Sequence, residues 1–330
     1  MLGAGTWGVA LASLLAKNNH EVVLWSAIPR EIEELKESGA HKNLPGAILP
    51  VGISYTADIS VAMADAELCL FVVPSQFIRS TARVVSPHVR DGLIVVNAAK
   101  GIESGSLLTM TEVIRDEFEK CGRVSGYHIA ALSGPTHAEE VARDLPTTIV
   151  SASSDIETAR TVQKYFSNEV LRVYTNTDIL GVEICGAVKN IIALASGISL
   201  GLGYGDNTKA AIVTRGMTEI SRLGKAMGCD ERTFYGLAGI GDLIVTATSV
   251  HSRNNRAGYL IGKGMDAASA IKEVGMVVEG VNAIPAVMEL SRKYNVEMPI
   301  VFAVNEMVNN GADPHEIVDR IMSRRTTFDV

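Results

Sequence analysis

The chain has 330 residues, of which 47% are apolar, and this is enough for two domains with a large hydrophobic core. Its formal net charge of -7 argues against a protein that binds nucleic acid or an anionic membrane surface. An anionic ligand would therefore have to be held by a local cluster of basic groups and backbone amides.

Residue usage also narrows the setting of the protein. The four cysteines are scattered and form no CxxC pair, which is typical of reduced thiols in a cytoplasmic protein. The seven histidines show no metal-ligand spacing such as HExxH, so we expect no metal. We expect no membrane span, since no uninterrupted apolar run reaches about 18 residues, and no signal peptide precedes the first glycines.

A glycine-rich turn opens the chain. Gly3, Gly5 and Gly8 match the GxGxxG pattern, residues 9–17 read as a helix, and residues 21–25 read as a strand. This context predicts a dinucleotide site rather than an ordinary glycine turn. Gly3 would permit the tight turn, Gly5 would let a pyrophosphate approach the backbone, and Gly8 would let the helix pack on a strand. The free amides at the helix N-terminus would face the phosphates.

Two features depart from the usual form of this motif. A first strand should fill about five residues before Gly3, but only Met1 and Leu2 are present, which a truncated or misassigned start would explain. NAD-specific folds place a carboxylate about twenty residues after the glycines, yet residues 26–30 contain none. With Arg30 nearby, this segment favours NADP over NAD.

Further apolar strands are predicted, separated by helical patterns, at residues 68–73, 93–96, 129–132, 147–151 and 170–174. Such uninterrupted apolar strands indicate a parallel sheet that is covered on both faces. Ligands bind such sheets at the carboxyl ends of the strands. Lys100 follows one of these strands, so it is a candidate ligand contact, with an exposed loop lysine as the alternative.

After Thr177 the periodicity is helical, with breaks near residues 201–206, 239–242, 262–264 and 311–314. We therefore predict an α/β fold with an N-terminal Rossmann-like domain, a doubly wound and mostly parallel sheet that binds the dinucleotide, over residues 1–175. Residues 176–330 are predicted to form an all-helical substrate and catalytic domain.

The rest of the chain is organised around the apolar stretch 183–195. It reads as a helix that is apolar nearly all round, which in a globular protein means burial. Lys189 lies in its middle. Because burial disfavours the charged ammonium, such a lysine is suited to exchange a proton near neutral pH. The alternative is a lysine that extends its amine to water.

Two polar motifs in this half carry candidate chemistry. Asp242 ends the GIGD motif at 239–242, where it could bond a hydroxyl or hold the ammonium of Lys189. The SRN motif at 252–254 begins a helix and combines backbone amides, a guanidinium fork and a side-chain amide, which suits a phosphate. For Asp242 and Ser252 an ordinary helix N-cap is the alternative.

Together these pieces resemble the NAD(P)-dependent glycerol-3-phosphate dehydrogenase family of the bacterial type. The similarity runs over nearly the whole chain and is carried, in the same order, by GAGTWG at 3–8, NAAKG at 97–101, SGPTHAEE at 133–140, EICGAVKN at 183–190, GIGD at 239–242, SRN at 252–254 and VVEG at 277–280. The family reversibly reduces dihydroxyacetone phosphate to sn-glycerol 3-phosphate with NADPH or NADH, which supplies the backbone of glycerophospholipids.

The resemblance implies a role for particular residues. Lys189 is the proton donor and acceptor, supported by Asp242 and Lys100. The residues that it places around the substrate are Lys100, Gly134, Thr136, Asn190, Thr246, Ser252, Arg253 and Asn254. Those that it places against the cofactor are Gly3, Gly5, Thr6, Trp7, Gly8, Lys100, Ala138, Arg253, Val277 and Glu279. Ala27 stands where many relatives carry Arg in the 2'-phosphate pocket, so binding of NADP would need Arg30 or Lys42 instead.

Two other functions stay open from the sequence. One is a related two-domain dehydrogenase of another small hydroxy compound, such as a hydroxy acid or 6-phosphogluconate. The other is a non-catalytic dinucleotide-binding sensor, which would not need Lys189, Lys100 and Asp242. We expect a small-molecule substrate and allow for a homodimer, since the sequence says almost nothing about oligomeric state.

Overall fold

A computed structural model describes residues 1–122 and 125–323 of the chain. The chain divides into two compact units. The first contains Met1–Lys100 and Leu108–Ile179, and the second contains Gly101–Leu107 and the chain from Leu180 onward. The assignment of the short segment Gly101–Leu107 to the second unit was not evident in the sequence.

The first unit alternates strands and helices. Its strands are β1 Val22–Trp25, β2 Ile53–Thr56, β3 Leu68–Phe71, β4 Ile94–Asn97, β5 His128–Ser133, β6 Thr147–Ala152 and β7 Leu171–Asn176. Its helices are α1 Thr6–Lys17, α2 Pro29–Ser38, α3 Ile59–Met63, α4 Ile78–Val85, α5 Met110–Lys120, α6 Ala138–Val141 and α7 Ile156–Phe166, with short 3-10 turns at Ser75–Phe77 and Ser86–His88. β2 was not predicted from the sequence, because it is short and has no buried residue.

The strands form a mostly parallel sheet, as predicted. β1 pairs with β2 in parallel, and β3 to β7 pair consecutively, with only the β5–β6 pair antiparallel. Leu2 joins the two halves through parallel bridges to Trp25 and Phe71. Its N–H donates to Leu70 O at 2.8 Å, and the N–H of Gly3 donates to Trp25 O at 2.9 Å. The residues before the glycine turn therefore lie between β1 and β3 and connect the two parts of the sheet.

Apolar side chains cover both faces of the sheet. Leu70 and Val96 contribute to one cluster, whereas their neighbours Phe71 and Val95 contribute to the other. Successive residues of a strand point to opposite faces. The uninterrupted apolar runs in the sequence arise because both faces are buried, which is the interpretation made above.

The second unit is built of helices, and its described residues contain no strand. The helices are α8 Ile179–Gly201, α9 Asp206–Ala226, α10 Glu231–Phe234, α11 Asp242–Thr248, α12 Arg253–Gly262, α13 Ala267–Val274, α14 Glu279–Lys293, α15 Pro299–Asn309 and α16 Pro314–Met322. A single wide helical turn, Leu237–Gly241, leads into α11. The breaks after α8, before α11, after α12 and after α15 fall near the predicted glycines, whereas those after α9, α11, α13 and α14 were not predicted.

Helix α8 forms the core of this unit. Every residue from 181 to 199 is buried. By length and composition the helix could cross a membrane, but 89% of its apolar 18-residue stretch is buried inside the protein. This burial is typical of the core helix of a globular domain.

Glycines bring α12 into backbone contact with α8. A Cβ on Gly197 of α8 would lie 2.0 Å from the carbonyl oxygen of Asn255, and one on Gly258 of α12 would lie 2.2 Å from that of Leu194. No side chain fits between backbones at such distances, so only glycine permits this crossing. The crossing holds the start of α12 close to the middle of α8.

A buried carboxyl group ties α9 to α15. Both oxygens of Glu219 accept backbone hydrogen bonds at the start of α15, from Ile300 N at 2.7 Å and from Val301 N at 3.3 Å. Burial raises the pKa of Glu219 to about 7, against the lowering effect of these two bonds and of nearby Arg222 and Arg215. A carboxyl group with a raised pKa binds more protons in the folded state than in the unfolded state between pH 4.5 and 7.

We therefore expect Glu219 to reduce stability as the pH rises through this window, by up to about 3 kcal/mol in the free energy of unfolding. Glu219→Gln should remove this contribution, so that the variant gains stability relative to the wild type on going from pH 5.5 to pH 8. Urea unfolding at both pH values measures it, with exposed Glu289→Gln as the control. A difference between wild type and Glu219→Gln that is the same at both pH values would contradict the assignment.

Candidate active site

The glycine turn of the first unit has the geometry of a phosphate-binding loop. Gly3 has φ +118°, which a residue with a side chain rarely adopts, and a Cβ there would lie 2.9 Å from the backbone of Val72. A Cβ on Gly8 would lie 2.0 Å from the carbonyl oxygen of Gly3. These two glycines are therefore required by the fold itself, one by the turn and the other by the packing of α1.

Gly5 differs from its two neighbours. It has an ordinary φ of −71° at the N-cap of α1, is exposed, and a Cβ there would meet no atom within 4 Å. The space in front of it opens on the N-terminus of a twelve-residue helix, which attracts an anion. Thr6 and Trp7 follow as the first residues of that helix. The turn thus fits the pyrophosphate of a dinucleotide.

We expect Gly5→Val to weaken binding of NADH and NADPH by about tenfold or more, because its side chain fills the space that the pyrophosphate needs. Its free energy of unfolding should change by less than about 1 kcal/mol, since the new side chain meets no protein atom. Calorimetric titration with each nucleotide tests this. Gly205→Val is the matched control, because Gly205 is also an exposed N-cap with open space. Unchanged nucleotide affinity in Gly5→Val would rule out the phosphate role.

The segment after β1 is where a Rossmann fold meets the adenosine ribose. Ala27 is exposed, and Lys42 is exposed in the loop after α2. The guanidinium of Arg30 pairs with Glu34 at 2.7 Å on the exposed face of α2. A carboxylate is present here, because the hydroxyl of Ser26 donates to Glu31 Oε2 at 2.6 Å. The sequence spacing did not indicate it, since Glu31 lies one position beyond residues 26–30.

Lys100 and the loop after β5 lie together in the first unit. The Lys100 amine donates to the carbonyl oxygen of Gly134 at 3.2 Å, and the hydroxyl of Thr136 donates to the same oxygen at 3.3 Å. Both segments follow the C-terminal ends of neighbouring strands, β4 and β5. The structure thus brings together three residues that the family resemblance assigns to substrate or cofactor. Ala138 is the buried first residue of α6, which follows this loop in the chain.

The second unit brings Lys189 and Asp242 into a buried ion pair. The Lys189 Nζ lies 2.6 Å from Asp242 Oδ1, and it also donates to the hydroxyl of Thr246 at 2.5 Å. The three residues are only 5%, 1% and 5% exposed. The alternative of a lysine that extends to water is therefore wrong. The hydroxyl of Thr246 donates in turn to the backbone oxygen of Asp242 at 2.7 Å, which fixes its position.

This ion pair requires an energetic explanation. Removing two charges from water costs several kcal/mol for each ion, and good geometry offsets only part of that cost. A buried ion pair is therefore weak evidence for stability alone and is a candidate for a functional role. A buried ammonium, held at the start of α11 by a carboxylate and a hydroxyl, is suited to give a proton to an oxygen that gains negative charge.

A network of side-chain amides extends from the neighbouring residue on α8. The amide of Asn190 donates to Gly186 O at 3.1 Å, and its oxygen accepts from Asn254 Nδ2 at 2.9 Å. Asn254 Oδ1 accepts from the N–H of Gly280 at 2.9 Å. This network connects α8, α12 and the start of α14. The remaining predicted cofactor residues, half-buried Val277 and Glu279, lie beside Gly280 in sequence.

The start of α12 adds a cation to this cluster. Ser252 is the N-cap of α12, since its hydroxyl oxygen accepts from Asn255 N at 3.2 Å, and its proton can still donate to a ligand. Arg253, the first residue of the helix, is exposed, and its guanidinium forms no hydrogen bond or ion pair with any described residue. A guanidinium beside free helix amides is a suitable site for a phosphate.

Among the described residues, no group of three or more His, Cys, Asp or Glu side chains is arranged to hold a metal ion. Each unit contains its own set of candidate residues: the glycine turn with Lys100 and Gly134 in the first, and Lys189 with Asp242, Asn254 and Arg253 in the second.

Comparison with protein families covers both units. The model described as the N-terminus of NAD-dependent glycerol-3-phosphate dehydrogenase matches residues 1–159. The model described as the C-terminus of the same protein matches residues 178–319.

Individual relatives agree with these matches. The chain is 60% identical over 324 residues to NAD(P)+ glycerol-3-phosphate dehydrogenase 2 of Lactobacillus delbrueckii subsp. bulgaricus, covering 98% of this chain and 96% of the relative. It is 48% identical to the NAD(P)+ enzyme of Agathobacter rectalis, with coverage of 98% and 95%. The solved glycerol-3-phosphate dehydrogenase of Coxiella burnetii superposes with a TM-score of 0.92 at 35% identity, covering 98% of each chain. The chain therefore belongs to the NAD-dependent glycerol-3-phosphate dehydrogenase family.

Proposed function

We propose that the protein catalyses reversible hydride transfer between NAD(P)H and dihydroxyacetone phosphate, which yields sn-glycerol 3-phosphate for glycerophospholipid synthesis. As a member of this family, the chain is an NAD(P)-dependent oxidoreductase that acts on a CH–OH group. The observation that carries the proposal is the buried contact of Lys189 with Asp242 and Thr246.

We assign the proton transfer to Lys189. When bound, the reduced nicotinamide supplies a hydride to the carbonyl carbon of the substrate. The carbonyl oxygen then gains negative charge, and the Lys189 ammonium stabilises it and delivers a proton from Nζ. In the reverse direction the Lys189 amine accepts the hydroxyl proton. Asp242 and Thr246 hold Nζ in place, and the carboxylate keeps a compensating charge beside it.

The phosphate of the substrate is assigned to the start of α12. The net charge of -7 means that attraction of a phosphate dianion has to come from local groups. Arg253 offers a forked donor, and the N-terminus of α12 adds backbone amides and the Ser252 hydroxyl. Lys100, with Gly134 and Thr136, is assigned to the reacting end of the substrate.

The residues of the second unit favour this substrate over the alternatives. Burying the charges of Lys189 and Asp242 costs free energy, and a non-catalytic sensor would gain nothing from that burial. A dehydrogenase of an unphosphorylated hydroxy acid would not need an exposed arginine at a helix start. A phosphorylated sugar acid remains the relevant competitor.

A substrate panel with purified protein tests the proposal. Oxidation of NADH and NADPH is followed with dihydroxyacetone phosphate, and reduction of NAD+ and NADP+ with 6-phosphogluconate and with small hydroxy acids. We expect kcat/KM for dihydroxyacetone phosphate to exceed that for every other compound by at least about 100-fold. A higher value for another compound would contradict the substrate assignment, and nucleotide binding without turnover of any compound would favour the sensor.

The roles of the two domains and the cellular location of the protein are part of the same proposal. We infer that residues 1–175 bind the dinucleotide and that residues 176–330 bind the substrate. The described cysteines form no disulfide with one another, which is typical of a reducing, cytoplasmic location. A homodimer stays a prediction from the sequence alone.

A further inference from the structure

The end of β1 carries a carboxylate in a fixed position. Ser26, the residue after β1, is 4% exposed, and its hydroxyl donates to Glu31 Oε2 at 2.6 Å while its oxygen accepts from Ile28 N at 3.1 Å. Glu31 is half-buried in the first turn of α2, and no described residue donates a hydrogen bond to its other oxygen, Oε1. One oxygen is therefore held while the second stays available to a ligand.

This carboxylate lies beside the strand position that leads into the glycine turn. Trp25 O accepts from the N–H of Gly3 at 2.9 Å, so β1 ends next to that turn. The loop after α2 closes the same region, since Asn43 Nδ2 donates to the hydroxyl of Thr6 at 3.3 Å. In dinucleotide folds a carboxylate about twenty residues after the glycines bonds the adenosine ribose hydroxyls. Glu31 follows the glycines at a similar spacing but belongs to the first turn of α2, and its contact with Ser26 holds its carboxyl group near the end of β1.

The basic groups near Glu31 do not form a pocket for a 2'-phosphate. Arg30 is engaged with Glu34 on the exposed face of α2. Burial lowers the pKa of His41, Lys42 adds to the lowering, and Glu31 opposes it, so His41 is neutral at pH 7. Lys42 is exposed, and Ala27 offers no charge. A 2'-phosphate would therefore face the carboxyl group of Glu31.

We propose that Glu31, positioned by Ser26, selects NADH over NADPH in this protein. The inference rests on the proposed use of a nicotinamide dinucleotide and adds a specificity-determining residue to it. It replaces the preference for NADP that the sequence favoured, because that preference assumed that no carboxylate lies at the end of β1.

The competing explanation is that Glu31 only caps α2. Its contact with Ser26 resembles a capping interaction at a helix start, which stabilises a helix without any ligand. The two explanations differ in what they predict for the 2'-phosphate. A cap affects the stability of the protein and both nucleotides alike, whereas a selecting carboxylate changes the ratio of the two affinities.

The experiment is calorimetric titration with ADP-ribose and with 2'-phospho-ADP-ribose, which lack the nicotinamide and report no turnover. For the wild type we expect ADP-ribose to bind at least about tenfold tighter. In Glu31→Gln, which keeps an acceptor for Ser26, this ratio should fall by about fivefold or more. Glu33→Gln, on the exposed surface of the same helix, is the control and should keep the wild-type ratio.

Each outcome decides the proposal. If the wild type binds 2'-phospho-ADP-ribose as tightly as ADP-ribose or more tightly, the proposal is overturned. This result needs no variant, so the proposal can be tested even if Glu31→Gln does not fold. A ratio that is unchanged in Glu31→Gln also overturns it and leaves Glu31 as a cap. Preferential binding of the 2'-phosphorylated compound leaves the proposed function intact, whereas binding of neither compound overturns both.

Discussion

Lys189→Ala should lower kcat for reduction of dihydroxyacetone phosphate by roughly 100-fold or more, the usual scale for loss of a general acid. The reason is that the carbonyl oxygen would lose the group that stabilises its charge and delivers the proton. Affinity for the nucleotide should change little, because the glycine turn lies in the other unit. Steady-state kinetics together with calorimetric titration of the nucleotide measures both effects.

A second variant separates chemistry from folding. Lys189→Ala leaves Asp242 buried without its cation, which costs stability by about 3–5 kcal/mol. Lys189→Arg keeps a positive charge beside Asp242, but a guanidinium does not release its proton near neutral pH. We expect Lys189→Arg to stay folded and still to lose kcat on a similar scale. Wild-type kcat in either variant would show that Lys189 is not the proton donor.

Arg253→Ala should cost roughly 2–4 kcal/mol in kcat/KM for dihydroxyacetone phosphate, the scale of a broken charge-assisted contact. The loss should be much smaller for dihydroxyacetone, because that compound has no phosphate for Arg253 to bind. Arg253→Lys should also be impaired, since it keeps the charge and loses the fork.

The matched control for this measurement is Arg256→Ala. Arg256 is an exposed arginine on the same helix, and its guanidinium lies 3.9 Å from the carboxylate of Glu273. Arg256→Ala should change kcat/KM little. An equal loss with dihydroxyacetone phosphate and dihydroxyacetone in Arg253→Ala would indicate that Arg253 serves the fold or the cofactor. That result would remove the phosphate assignment while leaving the role of Lys189 untouched.

The parts of the fold that could be predicted are those with a strong local pattern. The runs at 68–73 and 93–96 are apolar because both sheet faces are covered, so periodicity and burial agree there. β2 was not predicted because it contains no apolar run. It is identified as a strand by its parallel pairing with β1. The antiparallel β5–β6 pair was also not predicted, since strand direction depends on the connection and not on composition.

For the candidate site, residue type was more informative than spacing. Lys189 stood out because a lysine inside an apolar helix is rare, and Asp242 was already considered as its partner. The amide network through Asn190 and Asn254 depends on a crossing of α8 and α12 that only the glycine contacts reveal. Glu31 was overlooked because its position relative to β1 is set by Ser26 and by the first turn of α2.

Incubation of the purified protein with dihydroxyacetone phosphate and reduced nucleotide, with both products measured, tests the assigned reaction most directly. We expect one sn-glycerol 3-phosphate to form for each nucleotide oxidised, at a rate that falls by about 100-fold or more in Lys189→Arg. Oxidation of the nucleotide without glycerol 3-phosphate, or equal rates in wild type and Lys189→Arg, would contradict this assignment.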